Sequence, residues 1–330
     1  MQYRQLAHTD LNVSRIAFGA WGIAGGFNWG PQDENDSLEA LLAAHECGVN
    51  FFDTAEGYGD GYSEHLVGKA LGQVRDEIIL TTKVLPGHFA PDALRASCER
   101  SLKNLGTDRI DLYQLHWPNH DIPVAETFTL LEELKAAGKI RFYGVSNFGP
   151  CDLDEALVTG RKFATNQVSY SLLFRAIEYV VQPLCAANEV DILCYSPLMQ
   201  GLLAGKFPCA ASVPDDRART RHFSSQRAQT RHGEAGREAE TFEAVAAVRE
   251  IAEELGVPMA DLSMAWLLAQ PAVACVLAGA RNAEQARRNV AAAELKLSDE
   301  VIARLAAATE PLKRKLGPVI DMWMVPPRVR

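Results

Sequence analysis

The stretch FFDTAEGYGDGYSE (51–64) sets two phenylalanines before an acid, Asp53. It then places a phenol, Tyr58, five residues on, in a run that holds three glycines. An apolar strand that ends by delivering an acid and a phenol to a flexible loop decides nothing alone. The pattern, however, repeats. RIAFGAW (15–21) ends on Trp21, IILTTKV (78–84) on Lys83, IDLYQLHW (110–117) on His116 and Trp117, and IRFYGVSN (140–147) on Ser146 and Asn147. FATNQVSYS (163–171) carries Asn166 and Gln167, VDILCYSPL (190–198) carries Tyr195 and Ser196, and VACVLAGA (273–280) brings Gly279 with Arg281 just after it.

Between these runs lie stretches with helical punctuation. DENDSLEALLAAHEC stops at Gly48, PDALRASCERSLKNLG (91–106) has Pro first and Gly last, and VAETFTLLEELKAAG occupies 124–138. Further helices are expected near 63–71, 152–159, 176–188, 238–255, 260–269 and 282–295. The strands are short apolar runs rather than clean alternations, as expected when both faces are buried. Eight strand–helix units fit closure into a (β/α)8 barrel, an α/β fold. RQLAHTDLNVSR adds an N-terminal hairpin, and extra helices are expected towards the C-terminus. A doubly wound sheet should open with GxGxxG after its first strand. GAWGIAGG (19–26) has its glycines at other spacings, and GLLAGKF (201–207) falls one residue short of a P-loop and carries Phe207 where a Mg²⁺-ligating hydroxyl belongs.

Bulk properties narrow the function. The chain has 330 residues, 48% of them hydrophobic, ample for one large barrel domain over 1–330. A net charge of −9 is poorly suited to nucleic-acid backbones. No apolar run approaches a membrane span, and the polar start MQYRQLAHTD lacks a signal-peptide core. The seven cysteines are scattered without a CxxC pair and read as buried thiols of a reducing compartment, so a cytoplasmic location is expected.

In such a barrel the chemistry gathers at the C-terminal strand ends. Four groups there suit proton donation. A phenol is a poor acid at neutral pH, but a nearby ammonium stabilises its anion. Tyr58 is therefore expected as general acid, Lys83 as the group that lowers its pKa, Asp53 as the anchor of Lys83, and His116 as the donor that orients a carbonyl oxygen. Such donation is useful where a hydride reaches the attached carbon, which calls for a nicotinamide cofactor. Taken singly, each residue has a plainer reading: Asp53 as a turn cap, Tyr58 as a half-buried ring, Lys83 as a snorkelling strand end, His116 as a satisfied core imidazole. A metal site of His116, His120 and Asp121 has few further ligands in sight, so no metal is expected.

FFDTAEGYG, TTK, LHWP, GVSNF, NQVSYS, YSPLMQGLLAGK and GARNAEQARRN occur here in one order. Together they resemble the aldo-keto reductase superfamily, nearest its bacterial general-reductase and potassium-channel β-subunit-like branches, over essentially the whole chain. The resemblance implies a (β/α)8 barrel that reduces a small-molecule aldehyde or ketone with NADPH, using neither metal nor flavin. It implies Asp53, Tyr58, Lys83 and His116 as a catalytic tetrad. Ser146, Asn147 and Gln167 would hold the carboxamide, and Tyr195 would stack on the nicotinamide. Ser196, Pro197, Leu198, Gly201 and Lys206 would follow the pyrophosphate, and Gly279, Arg281, Gln285 and Asn289 the adenosine end. Arg281 would favour NADPH by meeting the 2′-phosphate. Arg288 departs from the pattern, since those relatives carry an acid there for the adenine amino group. Trp21 joins the cofactor set and, with Trp29, Tyr58, His116 and Trp117, the expected substrate pocket.

Other readings stand beside these. The same site could oxidise a sugar hydroxyl in reverse, or the chain could be a slow NADPH-binding sensor, although His116 rather than Asn favours the enzyme. The segment after strand seven, 199–238, contains the arginine-rich run 214–238. It reads either as a solvated loop or as a flap over the dinucleotide. The tail with Met322, Trp323 and Met324 reads as a barrel contact, a pocket wall or a subunit contact, and an oligomer is left open.

Overall fold

The computed structural model describes residues 1–26 and 29–330. Eight parallel strands close into a barrel. In chain order the strands are β1 (Tyr3–Gln5) and β2 (Asn12–Ser14), which form a separate antiparallel hairpin, then the barrel strands β3 (Ile16–Gly19), β4 (Phe51–Asp53), β5 (Ile79–Val84), β6 (Ile110–Leu115), β7 (Ile140–Ser146), β8 (Thr165–Ser169), β9 (Asp191–Tyr195) and β10 (Val273–Ala278). β10 pairs with β3 to complete the ring. Because the strands are covered on both faces, they are short and almost wholly buried, β4, β5, β6 and β10 without a break.

The helices between the strands are α1 (Glu34–Glu46), α2 (Tyr62–Leu71), α3 (Pro91–Leu105), α4 (Val124–Ala136), α5 (Pro150–Val158) and α6 (Val181–Ala187). Then come α7 (Glu238–Leu255), α8 (Met259–Leu268), α9 (Ala283–Val290) and α10 (Asp299–Leu316). Their ends follow the sequence signals. The Asp33 carboxylate accepts from the Asp36 amide at the start of α1, Pro91 opens α3, and Gly106 closes α3 at φ +64°. Apolar faces of these helices cover the outside of the barrel. Inside its lower end, Leu6, Leu11 and Val13 of the hairpin pack with Ala17, Phe51, Ile79, Leu112 and Leu193. Arg4 and the Ala7 amide both bind the Asp191 carboxylate, at 2.8 and 2.7 Å, so the hairpin plugs the face opposite the strand C-termini.

Four expectations from sequence need correction. The helix expected over 176–188 is a 3₁₀ turn (Ala176–Tyr179) followed by α6, because Val180 adopts φ −143° and interrupts the ladder. The helix expected over 282–295 stops at Val290 and continues only as a 3₁₀ turn, Ala291–Glu294. α10 runs into a stretch read as tail: Ser298 caps it, Asp299 and Glu300 favour its first turn, and Pro311 lies inside it. All seven cysteines are free thiols, but Cys151 and Cys209 are exposed, so the uniform reading as buried thiols fails for these two. Among the described residues no helix is long and apolar enough to cross a membrane.

Candidate active site

Register brings the functional strand ends to one level. Gly19 pairs with Asp53, Lys83 with Gln114, Ser146 with Gln167 and Ser169 with Tyr195. Lys83 is wholly buried and spans the gap between β5 and β4. Its ammonium donates to Asp53 Oδ2 at 2.7 Å, to the Thr54 carbonyl at 2.8 Å and to the Tyr58 hydroxyl at 3.2 Å. Gln167 Nε2 donates to the other Asp53 oxygen at 2.8 Å, so both carboxylate oxygens are engaged. The Tyr58 ring lies beside Trp21, with centroids 5.9 Å apart and planes at 23°, and meets His116 edge-on at 5.6 Å. Asp53, Tyr58, Lys83 and His116 therefore surround one point.

Electrostatics refine the expected roles. Burial works against the Lys83 ammonium, but Asp53 and Tyr58 outweigh it and hold Lys83 above its usual range. Tyr58 departs from expectation: burial is the largest influence and raises its pKa, and the attraction of Lys83 only partly offsets this. The phenol is thus firmly protonated, with the ammonium placed to receive its negative charge. Burial, followed by the repulsion of Lys83 and Arg328, pushes the His116 imidazolium well below the ordinary range. His116 is neutral, and its buried Nδ1 finds no hydrogen-bond partner among the described residues.

A second network flanks the first. Asn147 sits at φ +59°, in the left-handed region that Asn tolerates better than most residues. Its amide donates to the His116 carbonyl at 3.0 Å and to Ser146 Oγ at 3.1 Å, and accepts from the Tyr195 hydroxyl at 2.8 Å. Ser146 Oγ donates to the Gln167 carbonyl at 2.9 Å. One bond chain thus links Tyr195, Asn147, Ser146, Gln167 and Asp53.

These residues line a cavity of about 720 Å³, within the usual size range of ligand sites. It extends from Tyr58 and His116 past Ser196, Pro197, Leu198, Gly201 and Lys206 to Gly279, Arg281 and Gln285. The extension is cationic. Burial, and then Arg217, Arg281 and Arg288, hold the Lys206 ammonium below its usual range. Gly201 adopts φ +104°, and a side chain there would meet Lys206 at 3.1 Å, so glycine lets Lys206 fold back along the wall. Both amide atoms of Gln200 are buried on this wall without a hydrogen-bond partner among the described residues. An elongated polyanion with its own donors and acceptors fits such a channel.

Some expectations are met differently. Asn289 lies outside the lining and donates to the Gly279 carbonyl at 3.1 Å, which places it behind the wall. Arg281 lines the cavity but its guanidinium binds Gln32 and the Pro31 carbonyl. Trp21, Trp29 and Trp117 all line the cavity. His120 pairs with Asp152 at 2.9 Å. Among the described residues no group of three His, Cys, Asp or Glu side chains is placed to hold a metal.

The reading of 214–238 as a solvated loop fails. Arg219, Thr220, Arg221, His222, Phe223 and His232 are buried, and Arg221 binds Glu234 and the carbonyls of Leu316 and Val319. Arg217, Arg219, Gln229 and Arg231 face the cavity, as do Trp323, Met324 and Arg328 of the tail. Sequence reasoning gave a flap as one reading of 214–238 and a pocket wall as one of three readings of Trp323 and Met324, without choosing, and gave Arg328 no role. Their only signal was composition, aromatic residues and arginines in otherwise polar segments.

Comparison with known proteins agrees with the geometry. The profile of the Aldo/keto reductase family matches residues 15–310. An NADH-specific methylglyoxal reductase of Escherichia coli is 34% identical over 94% of this chain and 98% of its own length. The aldo-keto reductase YhdN of Bacillus subtilis is 37% identical over 86% of each. A crystal structure of an aldo/keto reductase from Klebsiella pneumoniae, in complex with NADP and acetate, superposes with a TM-score of 0.75 at 30% identity, covering 98% of this chain and 99% of that one. The eight-stranded barrel, the buried Lys–Asp pair beside a phenol, and these matches make the chain a member of the aldo/keto reductase family, NAD(P)-dependent oxidoreductases of carbonyl compounds.

Proposed function

We propose that the protein reduces an aldehyde or ketone to the alcohol with NADPH, with Tyr58 as the proton donor. The observation that carries the proposal is the Lys83 ammonium, 3.2 Å from the Tyr58 hydroxyl and 2.7 Å from Asp53. Bound NADPH supplies a hydride from nicotinamide C4. The chain supplies the rest. Tyr58 gives its proton to the carbonyl oxygen as the carbon is reduced, and Lys83 stabilises the phenolate that results. Asp53 keeps Lys83 charged and fixed. Neutral His116 donates to the same oxygen and orients it.

Ser146, Asn147 and Gln167 would hold the carboxamide, and Tyr195 would stack on the nicotinamide. The segment 199–238 would cover the pyrophosphate, with Lys206 and Arg217 available to its charge, and Arg281 would hold the 2′-phosphate once released from Gln32. We read residues 1–330 as one barrel unit with this segment as its flap. The cluster Lys206, Arg217, Arg281 and Arg288 supports NADPH over NADH, since an added phosphate offsets its mutual repulsion. The E. coli relative is named NADH-specific and the Klebsiella structure holds NADP, so the two cofactors must be compared directly.

The test is a steady-state screen of carbonyl compounds, methylglyoxal included, with NADPH and NADH side by side, followed by loss of reduced-nicotinamide absorbance. Carbonyl-dependent oxidation with a lower KM for NADPH is expected. Tight NADPH binding without turnover on any carbonyl would instead mark a sensor.

A further inference from the structure

Residues 321–330 wall the cavity beside Tyr58 and His116, but they are tied down outside it. Trp323, Met324 and Arg328 line the cavity. The Trp323 indole meets Trp21 edge-on at 6.0 Å, and the Arg328 guanidinium lies 3.4 Å from the ring centroid of Trp117, the residue after His116. Asp321, only 1% exposed, folds the segment on itself. It accepts from the amides of Trp323 and Arg328 at 3.0 and 3.2 Å, and from the Arg328 guanidinium at 2.8 and 2.9 Å.

This loop is held to the barrel in two places. The first is near its start. The Met322 carbonyl accepts from the Arg221 amide at 2.9 Å, the Met322 sulfur from Ser169 Oγ at 2.9 Å, and Met324 forms a bridge with Arg231. Beyond Met324 the main-chain hydrogen bonds to the rest of the protein, among the described residues, are those of Arg330. The Arg330 carbonyl accepts from the Cys151 amide at 2.9 Å, one of the first-turn donors of α5 that have no partner within the helix. The Arg330 amide donates to Asp152 Oδ2 at 2.8 Å, and its guanidinium bridges both Glu155 carboxylate oxygens at 3.1 Å. Asp152 is 2% exposed, accepts from the Gly149 amide at 3.2 Å, and does not line the cavity. Gly149 has an ordinary φ of −74°, so its backbone asks for no glycine, but a methyl group there would overlap the Arg330 carbonyl oxygen. The acid and the glycine are both shaped to receive Arg330.

We propose that Asp152 and Gly149 are positioning residues for the substrate: they seat Arg330 on the start of α5 and so fix the wall made by Trp323, Met324 and Arg328. The inference rests on the reading of this cavity as a carbonyl-reducing site. A loop held only near its start can pivot and carry Arg328 off Trp117; held at Arg330 as well, it presents one surface. The wall touches the far end of a substrate and leaves the reacting oxygen to Tyr58 and His116. Loss of the Arg330 seat therefore weakens binding of substrates long enough to reach the wall and spares short ones.

The test uses propanal and 3-phenylpropanal, which differ by one phenyl ring, with wild type, Gly149→Ala and Asp152→Ala. Steady-state KM, the single-turnover rate at saturation and NADPH affinity by fluorescence are measured for each, with calorimetric binding of 3-phenylpropan-1-ol to the NADP⁺ complex. The wild type should bind the phenyl member more tightly. Both variants should lose roughly 3–10-fold in KM for 3-phenylpropanal and in affinity for the alcohol, the scale of an aromatic contact. KM for propanal, the single-turnover rates and NADPH affinity should stay within about twofold. Gly149→Ala leaves the Asp152 bond to the α5 start in place, so it separates the seat from helix capping and decides alone if Asp152→Ala does not fold. A Gly149→Ala protein with wild-type KM for 3-phenylpropanal overturns the proposal. So does a wild type without preference for the phenyl member, or a loss shared equally by propanal and NADPH. A wild type that binds the alcohol and reduces neither aldehyde would end the carbonyl-reductase reading, while the calorimetric comparison would still decide the role of the seat.

Discussion

Replacing Lys83 by methionine tests how the phenol is made to act. The side chain keeps its length and loses its charge, so Tyr58 loses an ammonium at 3.2 Å and Asp53 loses its partner at 2.7 Å. At an effective dielectric near 20, a full phenolate at that distance gains about 5 kcal/mol from the ammonium. With about half of the charge developed in the transition state, roughly 2–3 kcal/mol is at stake, or roughly 30–150-fold in the rate of hydride transfer. The buried Asp53 carboxylate would retain only the bond from Gln167, so a loss of stability of about 3 kcal/mol accompanies the change unless Asp53 takes up a proton. The assay is single-turnover reduction at saturating NADPH, with NADPH binding followed by fluorescence and stability by urea unfolding. Lys83→Met/Asp53→Asn removes the orphaned charge: it should regain most of the stability and none of the rate. A single variant within threefold of the wild-type rate would refute the assigned role of Lys83.

Other outcomes follow from the same geometry. Reduction needs protonated Tyr58, whose pKa is raised, and neutral His116, whose pKa is lowered, so the active form persists above pH 9 and below pH 6. The expected kcat/KM profile is therefore flat from about pH 6 to about 9; an acid limb near pH 6.5 that vanished in His116→Asn would contradict it. Asn147→Ala removes bonds to the His116 carbonyl, Ser146 and Tyr195, and should weaken NADPH binding roughly tenfold in a fluorescence titration while the fold persists. Arg221→Leu strips donors from Glu234 and from the carbonyls of Leu316 and Val319, and should cost about 2–4 kcal/mol in urea unfolding.

The barrel and its rim were legible because they rest on local pattern. Strands buried on both faces read as short apolar runs, and the polar residues that end them stand out against that background, as Lys83 does after Leu80-Thr81-Thr82. α10 was harder to see, because Pro311 and a basic end disguised an amphipathic helix capped by Ser298. The cavity roof was illegible for a different reason. Arg219, Arg221 and His222 look solvated in sequence and are buried by contacts with the tail and the rim, such as the Arg221 amide on the Met322 carbonyl at 2.9 Å. Periodicity carries no record of such long-range contacts. The sign of the Tyr58 shift was equally hidden, since it depends on how far burial outweighs the attraction of Lys83.

Tyr58→Phe provides the most direct test of the central claim. The substitution leaves the ring against Trp21 and removes only the hydroxyl that faces Lys83. Measured by single-turnover reduction of a good aldehyde substrate, hydride transfer should fall by at least roughly a hundredfold, the worth of general acid catalysis, while NADPH binds as in the wild type. Reduction at the wild-type rate would contradict the account.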